Sequence, residues 1–249
     1  MKIFFHPDFY EEYTRDPAAE PGRMEAIIEE IEEFSDIIAC TPASEDDILA
    51  AHNHMHIEEV RRLGLYEIAA LAAGGAIQAA EVCMDKPSFA LIRPPGHHAS
   101  QTSCWGFCYF NNMAISLLYL RTRSLVDQAF ILDFDLHYGD GNINILGKEP
   151  WVEILNPESN NRETYLEKVK NSLETTQADI IAVSAGFDNH VNEWGGLLYT
   201  ADYKTMAQWV RAAAERNGGG CYGILEGGYN HNVLGKNVRA FLEGLQTYP

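Results

Sequence analysis

The chain is short of cysteine and of long apolar runs. Its five cysteines are scattered and form no Cys-x-x-Cys pair, so the sequence favours neither a zinc ribbon nor a disulfide framework. Such cysteine usage suits a reducing compartment. No stretch approaches the roughly 18 consecutive apolar residues of a membrane-spanning helix, and the first residues lack the apolar segment of a signal peptide. We therefore expect a cytoplasmic protein that does not contact a membrane.

Positive charge is also scarce. The chain has 18 Lys and Arg against 36 Asp and Glu, a formal net charge of −18. A surface this acidic repels phosphate backbones, which argues against nucleic acid as a partner. It would attract cations such as polyamines or Lys-rich peptides. Solubility, or adaptation to a salty cytoplasm, would explain the same charge.

Short apolar runs alternate with longer periodic segments along all 249 residues, without a linker or repeat, which predicts one domain over residues 1–249. The predicted strands, whose Ile, Val, Leu and Phe do not alternate with polar residues, are 3–5, 36–40, 89–92, 129–133, 152–155, 180–184 and 222–225. The predicted helices are 22–34, 44–52, 66–85, 111–123, 162–175, 200–216 and 232–245. This alternation favours an α/β fold, with a parallel sheet between two helical layers.

Polar, glycine-rich segments follow four of the predicted strands, at residues 93–106, 135–141, 186–196 and 226–230. Open parallel sheets bind ligands beyond the carboxyl ends of their strands. We therefore expect these four segments to form one site.

A metal site is predicted from Asp133, Asp135 and His137, which follow an apolar run. Residues two apart in an extended segment share a face, so the three side chains would converge and need a cation. Carboxylate and imidazole ligands suit Zn²⁺ or Fe²⁺. Asp188 follows the strand at 180–184 and could join them, and three protein ligands leave room for water and substrate. The alternative is that each Asp caps a helix or lies in an ordinary turn.

Two further motifs carry candidate catalytic groups. His97 and His98 lie on a Pro/Gly turn and could serve as general base and second acid, each oriented by a carboxylate such as Asp133 or Asp140. Taken alone, two adjacent histidines are more often metal ligands or surface residues without a function. Tyr229 follows two glycines and could donate a hydrogen bond to a developing oxyanion, unless it merely packs.

Together these segments resemble the histone-deacetylase superfamily, which includes acetylpolyamine amidohydrolases and acetoin-utilisation proteins. The resemblance rests on R-P-P-G-H-H at 93–98, G-F-C-Y-F-N-N at 106–112, D-F-D-L-H-Y-G-D-G at 133–141, S-A-G-F-D-N-H at 184–190 and L-E-G-G-Y-N at 225–230. These motifs stand in the family's order, and weaker similarity covers nearly the whole chain. The resemblance implies the arginase/deacetylase fold, in which a largely parallel sheet of about eight strands lies between helical layers.

The resemblance also implies roles for particular residues. The metal ligands would be Asp135, His137 and Asp188. The catalytic residues would be His97, the general base His98, their partners Asp133 and Asp140, and Tyr229, which would polarise the substrate carbonyl. The substrate would contact the Gly106 carbonyl and the Phe107 ring. A structural K⁺ or Na⁺ would lie near residues 133–137. The implied reaction removes an acetyl or other short acyl group from acetyl-lysine, an acetylpolyamine or a small acetamide.

Two segments depart from the family's pattern. Between His56 and Tyr66 the family often has a longer loop with a rim aspartate, for which Glu58 and Glu59 are uncertain substitutes. Residues 156–162 replace a longer loop that supplies an aromatic ring opposite Phe107, and they contain none. We therefore expect a shallow or one-walled channel in the monomer, which a second copy of the chain could complete.

Two other functions remain open from the sequence. An arginase-type ureohydrolase would share the fold but hold two Mn²⁺ ions and need further Asp and His ligands. A degenerate deacetylase scaffold could bind acylated amines without catalysis, although such degeneration usually removes a ligand, the His pair or the tyrosine.

Overall fold

The structure is a computed structural model that describes residues 1–33 and 36–247. The strands are β1 (Lys2–Phe5), β2 (Asp36–Ala39), β3 (Ser88–Ala90), β4 (Ala129–Asp133), β5 (Val152–Leu155), β6 (Ile180–Ala185) and β7 (Gly220–Leu225). The helices are α1 (Arg23–Ile31), α2 (Glu45–Leu49), α3 (His54–Arg62), α4 (Tyr66–Val82), α5 (Asn112–Thr122), α6 (Asp140–Leu146), α7 (Arg162–Thr175), α8 (Thr200–Arg216) and α9 (His231–Gln246). Short 3₁₀ helices cover Pro7–Tyr10 and Pro17–Ala19.

The strands form one parallel sheet in the order β2-β1-β3-β7-β6-β4-β5. All seven apolar runs predicted as strands are present in it. The described residues contain seven strands, which match the seven apolar runs and are one fewer than the eight or so that the resemblance implied. The central strands β3, β4, β6 and β7 are buried along almost their whole length, which explains why their sequences do not alternate.

Helices cover both faces of the sheet. Tyr222 on β7 points to one face, where its hydroxyl lies 2.8 Å from Ser116 Oγ of α5. The next residue, Gly223, faces the other side and lies against Phe241 of α9. Helices α4 and α5 pack on the first face, while α8 and α9 pack together on the second. The result is the predicted three-layer α/β/α arrangement.

The sequence patterns located most helices and missed two. Helices α7 and α8 have the predicted bounds. Helix α1 ends at Ile31, and the predicted end at residue 34 lies outside the described residues. Helix α3 was missed because its segment is mostly polar, with Ile57 and Val60 as its buried apolar residues. Helix α6 was missed because it begins inside the segment interpreted as a site loop.

The order of the strands brings the four polar segments together. Strands β3, β7, β6 and β4 are neighbours in the sheet, and each precedes one of these segments. Because all strands are parallel, their carboxyl ends lie at the same edge. Nowhere in residues 1–33 and 36–247 is a helix both long and apolar enough to cross a membrane.

Helix α4 makes a close approach that requires glycine. A Cβ atom on Gly74 would lie 1.9 Å from the Thr41 carbonyl oxygen. Alanine is worth roughly 1 kcal/mol more than glycine in a free helix, but a backbone clash should outweigh that gain. We predict that Gly74→Ala lowers the free energy of unfolding by about 1–3 kcal/mol in denaturant titration. Glu67→Ala, at an exposed position of the same helix, should change it by no more than about 0.5 kcal/mol. A Gly74→Ala variant at least as stable as wild type would show that α4 does not pack this closely.

Candidate active site

Three of the predicted metal ligands come together at the carboxyl edge. Ligand atoms of Asp135, His137 and Asp188 all lie within 4.8 Å of one another. His137 Nδ1 is 3.2 Å from Asp135 Oδ1 and 3.1 Å from Asp188 Oδ2. Both aspartates are buried, whereas the imidazole of His137 is 39 % exposed. The cluster is therefore buried on the protein side and open on the other.

The three residues of this cluster shift one another's pKa values. Burial and the neighbouring Asp135 raise the pKa of Asp188 to about 6. Hydrogen bonding to Asp135 and Asp188 raises the pKa of His137 to about 10. Burial would raise the pKa of Asp135, but His97 and His137 lower it below its usual value. The three groups thus favour one positive charge between two carboxylates, which a proton supplies when no metal ion is bound.

Backbone N–H groups orient the two carboxylates. Asp135 Oδ1 accepts from the His137 amide at 2.9 Å, and Oδ2 accepts from the Gly227 amide at 2.9 Å. Asp188 Oδ1 accepts from the Leu136 amide at 3.0 Å. Asp188 Oδ2 is buried, accepts from no backbone amide and faces His137 Nδ1 at 3.1 Å. Gly227 must be glycine here, because a Cβ atom would lie 2.6 Å from Asp135 Oδ2.

His97 contacts its predicted partner at the end of β4. Its Nδ1 lies 3.3 Å from Asp133 Oδ2, and its Nε2 lies 3.7 Å from Asp135 Oδ1. Burial alone would lower the pKa of His97, but Asp135 and Asp133 raise it well above its usual value. Asn142 of α6 donates to the same Asp133 oxygen at 2.9 Å and so helps to hold the carboxylate.

His98 also contacts its predicted partner. Its Nδ1 lies 2.7 Å from Asp140 Oδ1. Burial and the neighbouring His97 lower the pKa of His98 to about 4, despite Asp140. The imidazole is therefore neutral at pH 7 and can accept a proton. The rings of His97 and His98 lie 4.0 Å apart, which places the pair side by side beneath the pocket.

Tyr229 is held from two sides. Glu193 Oε1 accepts from the amides of Tyr229 and Asn230 at 2.7 and 2.6 Å. Arg23 is fully buried, donates to the Gly228 carbonyl at 2.8 Å and lies over the Tyr229 ring at 5.5 Å. Burial and Asp135 raise the pKa of Tyr229 well above its usual value, so its phenol is neutral and can donate a hydrogen bond.

A buried glutamate supports the His pair. Glu226 Oε2 accepts from the amides of Gly96 and His97 at 2.7 and 3.2 Å, which ties the loop after β3 to the loop after β7. Burial raises the pKa of Glu226 to about 7. Arg23 binds the carbonyl of the same residue at 2.6 Å. These hydrogen bonds connect the motif at 93–98 to the motif at 225–230, which is far from it in sequence.

These groups share a pocket of about 280 Å³. It is lined by Pro95, His97, His98, Trp105, Gly106, Phe107, His137, Trp194, Gly227 and Tyr229. The expectation of a one-walled channel was wrong. Residues 156–162 supply no ring to this pocket, as expected, but Trp194 comes from the loop after β6 and stacks on Tyr229 at 4.4 Å. Trp105 adds a further aromatic wall.

The backbone at Gly106 and Phe107 is unusual. Both residues have positive φ angles, 60° and 67°. A Cβ atom on Gly106 would lie 2.5 Å from His98 Cδ2, so glycine allows the chain to pass closely over the imidazole. A non-glycine residue such as Phe107 is uncommon in the left-handed region, and this backbone conformation costs of order 1–3 kcal/mol. The strained backbone presents the Phe107 ring to the pocket, 5.9 Å from the ring of Tyr229.

Glu58 and Glu59 do not replace the rim aspartate. Both lie on α3, where each forms an ion pair with the arginine three residues on, Arg61 or Arg62. Neither residue lines the pocket.

Comparison with known proteins identifies the family. The family model of the histone deacetylase domain matches residues 63–165 and 157–245, most of the chain. The chain belongs to the histone deacetylase family. It is 29 % identical to the probable deacetylase of Methanothermobacter thermautotrophicus, over 98 % of this chain and 90 % of that protein. It is 31 % identical to the probable deacetylase of Archaeoglobus fulgidus, over 90 % of this chain and 77 % of that protein.

A solved structure has the same fold. The crystal structure of the HDA15 HD domain superposes with a TM-score of 0.85, covering 98 % of this chain and 88 % of that one, at 21 % sequence identity. At this level of identity the match supports the fold alone.

Several residues of the site were missed by sequence reasoning. Arg23, Glu193 and Glu226 act through backbone atoms of distant loops, which no spacing rule reveals. Trp105 and Trp194 had a weak signal, since each directly precedes a glycine in a segment already assigned to the site. Apart from Glu58 and Glu59, the residues predicted for the site lie at or just after the carboxyl ends of β3, β4, β6 and β7.

Glu193 should govern the mobility of the Tyr229 loop. Glu193→Ala removes the acceptor of two backbone N–H groups, so we predict clearly faster hydrogen exchange at the amides of Tyr229 and Asn230. The neighbouring Asn192→Ala keeps its backbone carbonyl, which accepts from Asn230 Nδ2 at 2.8 Å, and should leave both rates unchanged. Equal exchange in the Glu193→Ala variant and wild type would mean that Arg23 alone holds the loop.

Proposed function

We propose that this chain is a metal-dependent amidohydrolase that removes an acetyl or other short acyl group from an amine. The observation that carries the proposal is the convergence of Asp135, His137 and Asp188 within 4.8 Å of one another. His98 and Tyr229 line the same pocket. Membership of the histone deacetylase family, and relatives named as probable deacetylases, support this reaction.

The residues present suit a divalent metal ion. Asp188 Oδ2 is buried, accepts from no backbone amide and faces His137 Nδ1 at 3.1 Å, so an ion held by both residues would satisfy it. Two carboxylates and one imidazole form a mixed oxygen and nitrogen set, which suits Zn²⁺ and also Fe²⁺. Three protein ligands leave the pocket side open, as catalytic rather than structural zinc sites do.

In the proposed mechanism, Asp135, His137 and Asp188 would hold a Zn²⁺ ion, which would act as a Lewis acid and lower the pKa of water in the site. The neutral imidazole of His98 takes a proton from the attacking water, while Asp140 holds its other nitrogen. The phenol of Tyr229 donates a hydrogen bond to the carbonyl oxygen as negative charge develops there. A protonated histidine of the pair then passes a proton to the leaving amine. The products are a carboxylate, acetate in the simplest case, and a free amine.

The pocket would bind the substrate through the groups implied by the family resemblance. The Phe107 ring and the two tryptophans provide apolar walls for an alkyl stem, and the Gly106 carbonyl is a backbone acceptor for the substrate N–H. Acetyl-lysine, acetylpolyamines and small acetamides all combine such a stem with an acylated amine. The net charge of −18 would attract those that carry additional positive charge.

The geometry does not favour a ureohydrolase. Among the described residues, the other group able to hold a metal is His97, Cys108 and Glu226. It shares no residue with the first group, and burial raises the pKa of the Cys108 thiol well above its usual value. A pair of Mn²⁺ ions would need further carboxylate and imidazole ligands around a common centre.

A monovalent cation is also part of the proposal. Asp133 Oδ1 is buried and has no hydrogen-bond partner. Asp133 and Asp135 line a second cavity, of about 380 Å³, beside the cluster. A K⁺ or Na⁺ ion near residues 133–137 would satisfy the Asp133 oxygen and stabilise the segment that carries two of the proposed ligands.

The direct test is a deacylation screen. The full chain would be incubated with acetylpolyamines, acetyl-lysine peptides and small acetamides, after loading with Zn²⁺ or Fe²⁺, and acetate release would be measured. We expect hydrolysis of at least one class, and its loss in His98→Ala. Binding of these compounds without turnover would instead favour a non-catalytic acyl-amine binder.

Metal binding can be measured independently of activity. We predict that metal-free protein binds one Zn²⁺ per chain at the cluster, and that Asp188→Asn greatly weakens this binding in calorimetry. Free Zn²⁺ at 100 times Kd should stabilise wild type by about 2.7 kcal/mol, which raises Tm by roughly 5–10 °C for a chain of this size. Asp85→Asn, at an exposed position, is the matched control. Tight one-to-one binding by Asp188→Asn would place the ion elsewhere.

Tyr229→Phe isolates the phenolic hydroxyl. The ring contacts with Trp194 and Phe107 remain, but the donor is lost. We predict a fall in kcat of about 10²–10³, equivalent to about 2.7–4 kcal/mol, with KM and metal content nearly unchanged. Wild-type turnover would show that Tyr229 does not stabilise the oxyanion. Loss of folding would show that the hydroxyl has a packing role.

A further inference from the structure

Trp105 makes two contacts with the His98–Asp140 pair. Its indole ring lies flat on the His98 imidazole, with centroids 3.8 Å apart and planes 29° apart. Its Nε1–H donates to Asp140 Oδ2 at 2.9 Å and lies 3.2 Å from Asp140 Oδ1 as well. The residue is 54 % exposed, so burial of an apolar ring does not by itself explain its position.

The two contacts close a ring of interactions. Asp140 Oδ1 lies 2.7 Å from His98 Nδ1, while the indole N–H is shared between Oδ2 at 2.9 Å and the same Oδ1 at 3.2 Å. The side chain of Asp140 is 43 % exposed, so without the indole one oxygen would face solvent and the carboxylate could rotate. The indole fixes the carboxylate plane and covers one face of the imidazole.

The backbone conformation of residues 105–107 allows Trp105 to contact both His98 and Asp140. Trp105 directly precedes Gly106, whose missing side chain lets the chain pass over His98. The positive φ angles of Gly106 and Phe107 then turn the chain, so that Phe107 enters the pocket while Trp105 remains on the imidazole. One short segment thus places a ring on the pocket wall and a hydrogen-bond donor on Asp140.

We propose that Trp105 is a positioning residue, which holds Asp140 and His98 in the orientation for proton transfer. This inference rests on the proposed function, in which His98 is the general base. Trp105 would not touch the reacting atoms. It would act through Asp140, because indole is a donor only and the carboxylate is its acceptor.

The Trp105→Phe variant distinguishes a role in orienting Asp140 and His98 from a role as a wall of the pocket. Phenylalanine retains an aromatic face over His98 but has no N–H group. Outer hydrogen-bond partners of site residues are typically worth roughly 10–100-fold in activity, so we expect kcat to fall by about that factor with KM within about twofold. A rise in KM with unchanged kcat would overturn the proposal, since it would make Trp105 only a wall of the pocket.

A double-mutant cycle tests whether Trp105 acts through Asp140. In an Asp140→Ala background, Trp105→Phe should cause no further loss of kcat, because the acceptor is already gone. Losses that multiply would show that the indole acts independently of the carboxylate and would overturn the proposal. Trp151→Phe is the matched control: it also removes an indole N–H that donates to a carboxylate, Glu149 Oε2 at 3.0 Å, but away from the pocket. Its kcat and KM should remain within about twofold of wild type.

A spectroscopic measurement distinguishes failure of this inference from failure of the proposed function. The chain has four tryptophans, and Trp105→Phe identifies the indole N–H signal of Trp105 by its absence in ¹H–¹⁵N NMR. Asp140→Ala should shift that signal upfield, whereas the signal of Trp151 should not move. An unmoved Trp105 signal would overturn the proposal whatever the activity. An inactive wild-type chain with the expected shift would overturn the proposed function, and with it the catalytic part of this inference, but not the contact.

Discussion

The burial of four carboxylates at one edge of the sheet is the constraint on which the site depends. Asp133, Asp135, Asp188 and Glu226 are each at most 7 % exposed. Several like charges in a poorly solvated region repel one another and lack water, so the surrounding chain must supply positive charge and N–H donors. The imidazoles of His97 and His137 and the backbone amides of the three loops after β3, β4 and β7 do so. Much of the local structure follows from that need.

The same constraint explains the glycines and the buried arginine. Backbone amides can reach a carboxylate only where no side chain intervenes, and Gly227 meets that requirement beside Asp135. Arg23 places its positive charge next to this edge. It donates hydrogen bonds to the Glu226 and Gly228 carbonyls, in the loop that carries Tyr229. The loop that carries Tyr229 is therefore held by groups that also satisfy buried polar atoms. Stability and geometry are coupled in this part of the molecule.

The pocket above the carboxylates has a different chemical character. Its upper walls are aromatic, and its floor consists of imidazoles and the open side of the proposed metal site. The short segment at residues 156–162 leaves one side without the ring that the family resemblance implies. Trp194, from the loop after β6, lies in the pocket instead. Aromatic walls above a polar floor are consistent with the acylated amine that we propose as substrate.

The sequence alone determined the parts of this protein that depend on local pattern. Buried parallel strands read as continuous apolar runs, so all seven could be located, and motifs after strands 89–92, 129–133, 180–184 and 222–225 pointed to one edge. The contacts of His97 with Asp133 and of His98 with Asp140 also followed from the resemblance. Tertiary structure alone decided which groups satisfy the buried carboxylates and which rings line the pocket. Glu193, Arg23, Trp105 and Trp194 act across loops that meet only when the sheet forms, and sequence spacing carries no information about contacts between chain segments brought together by folding.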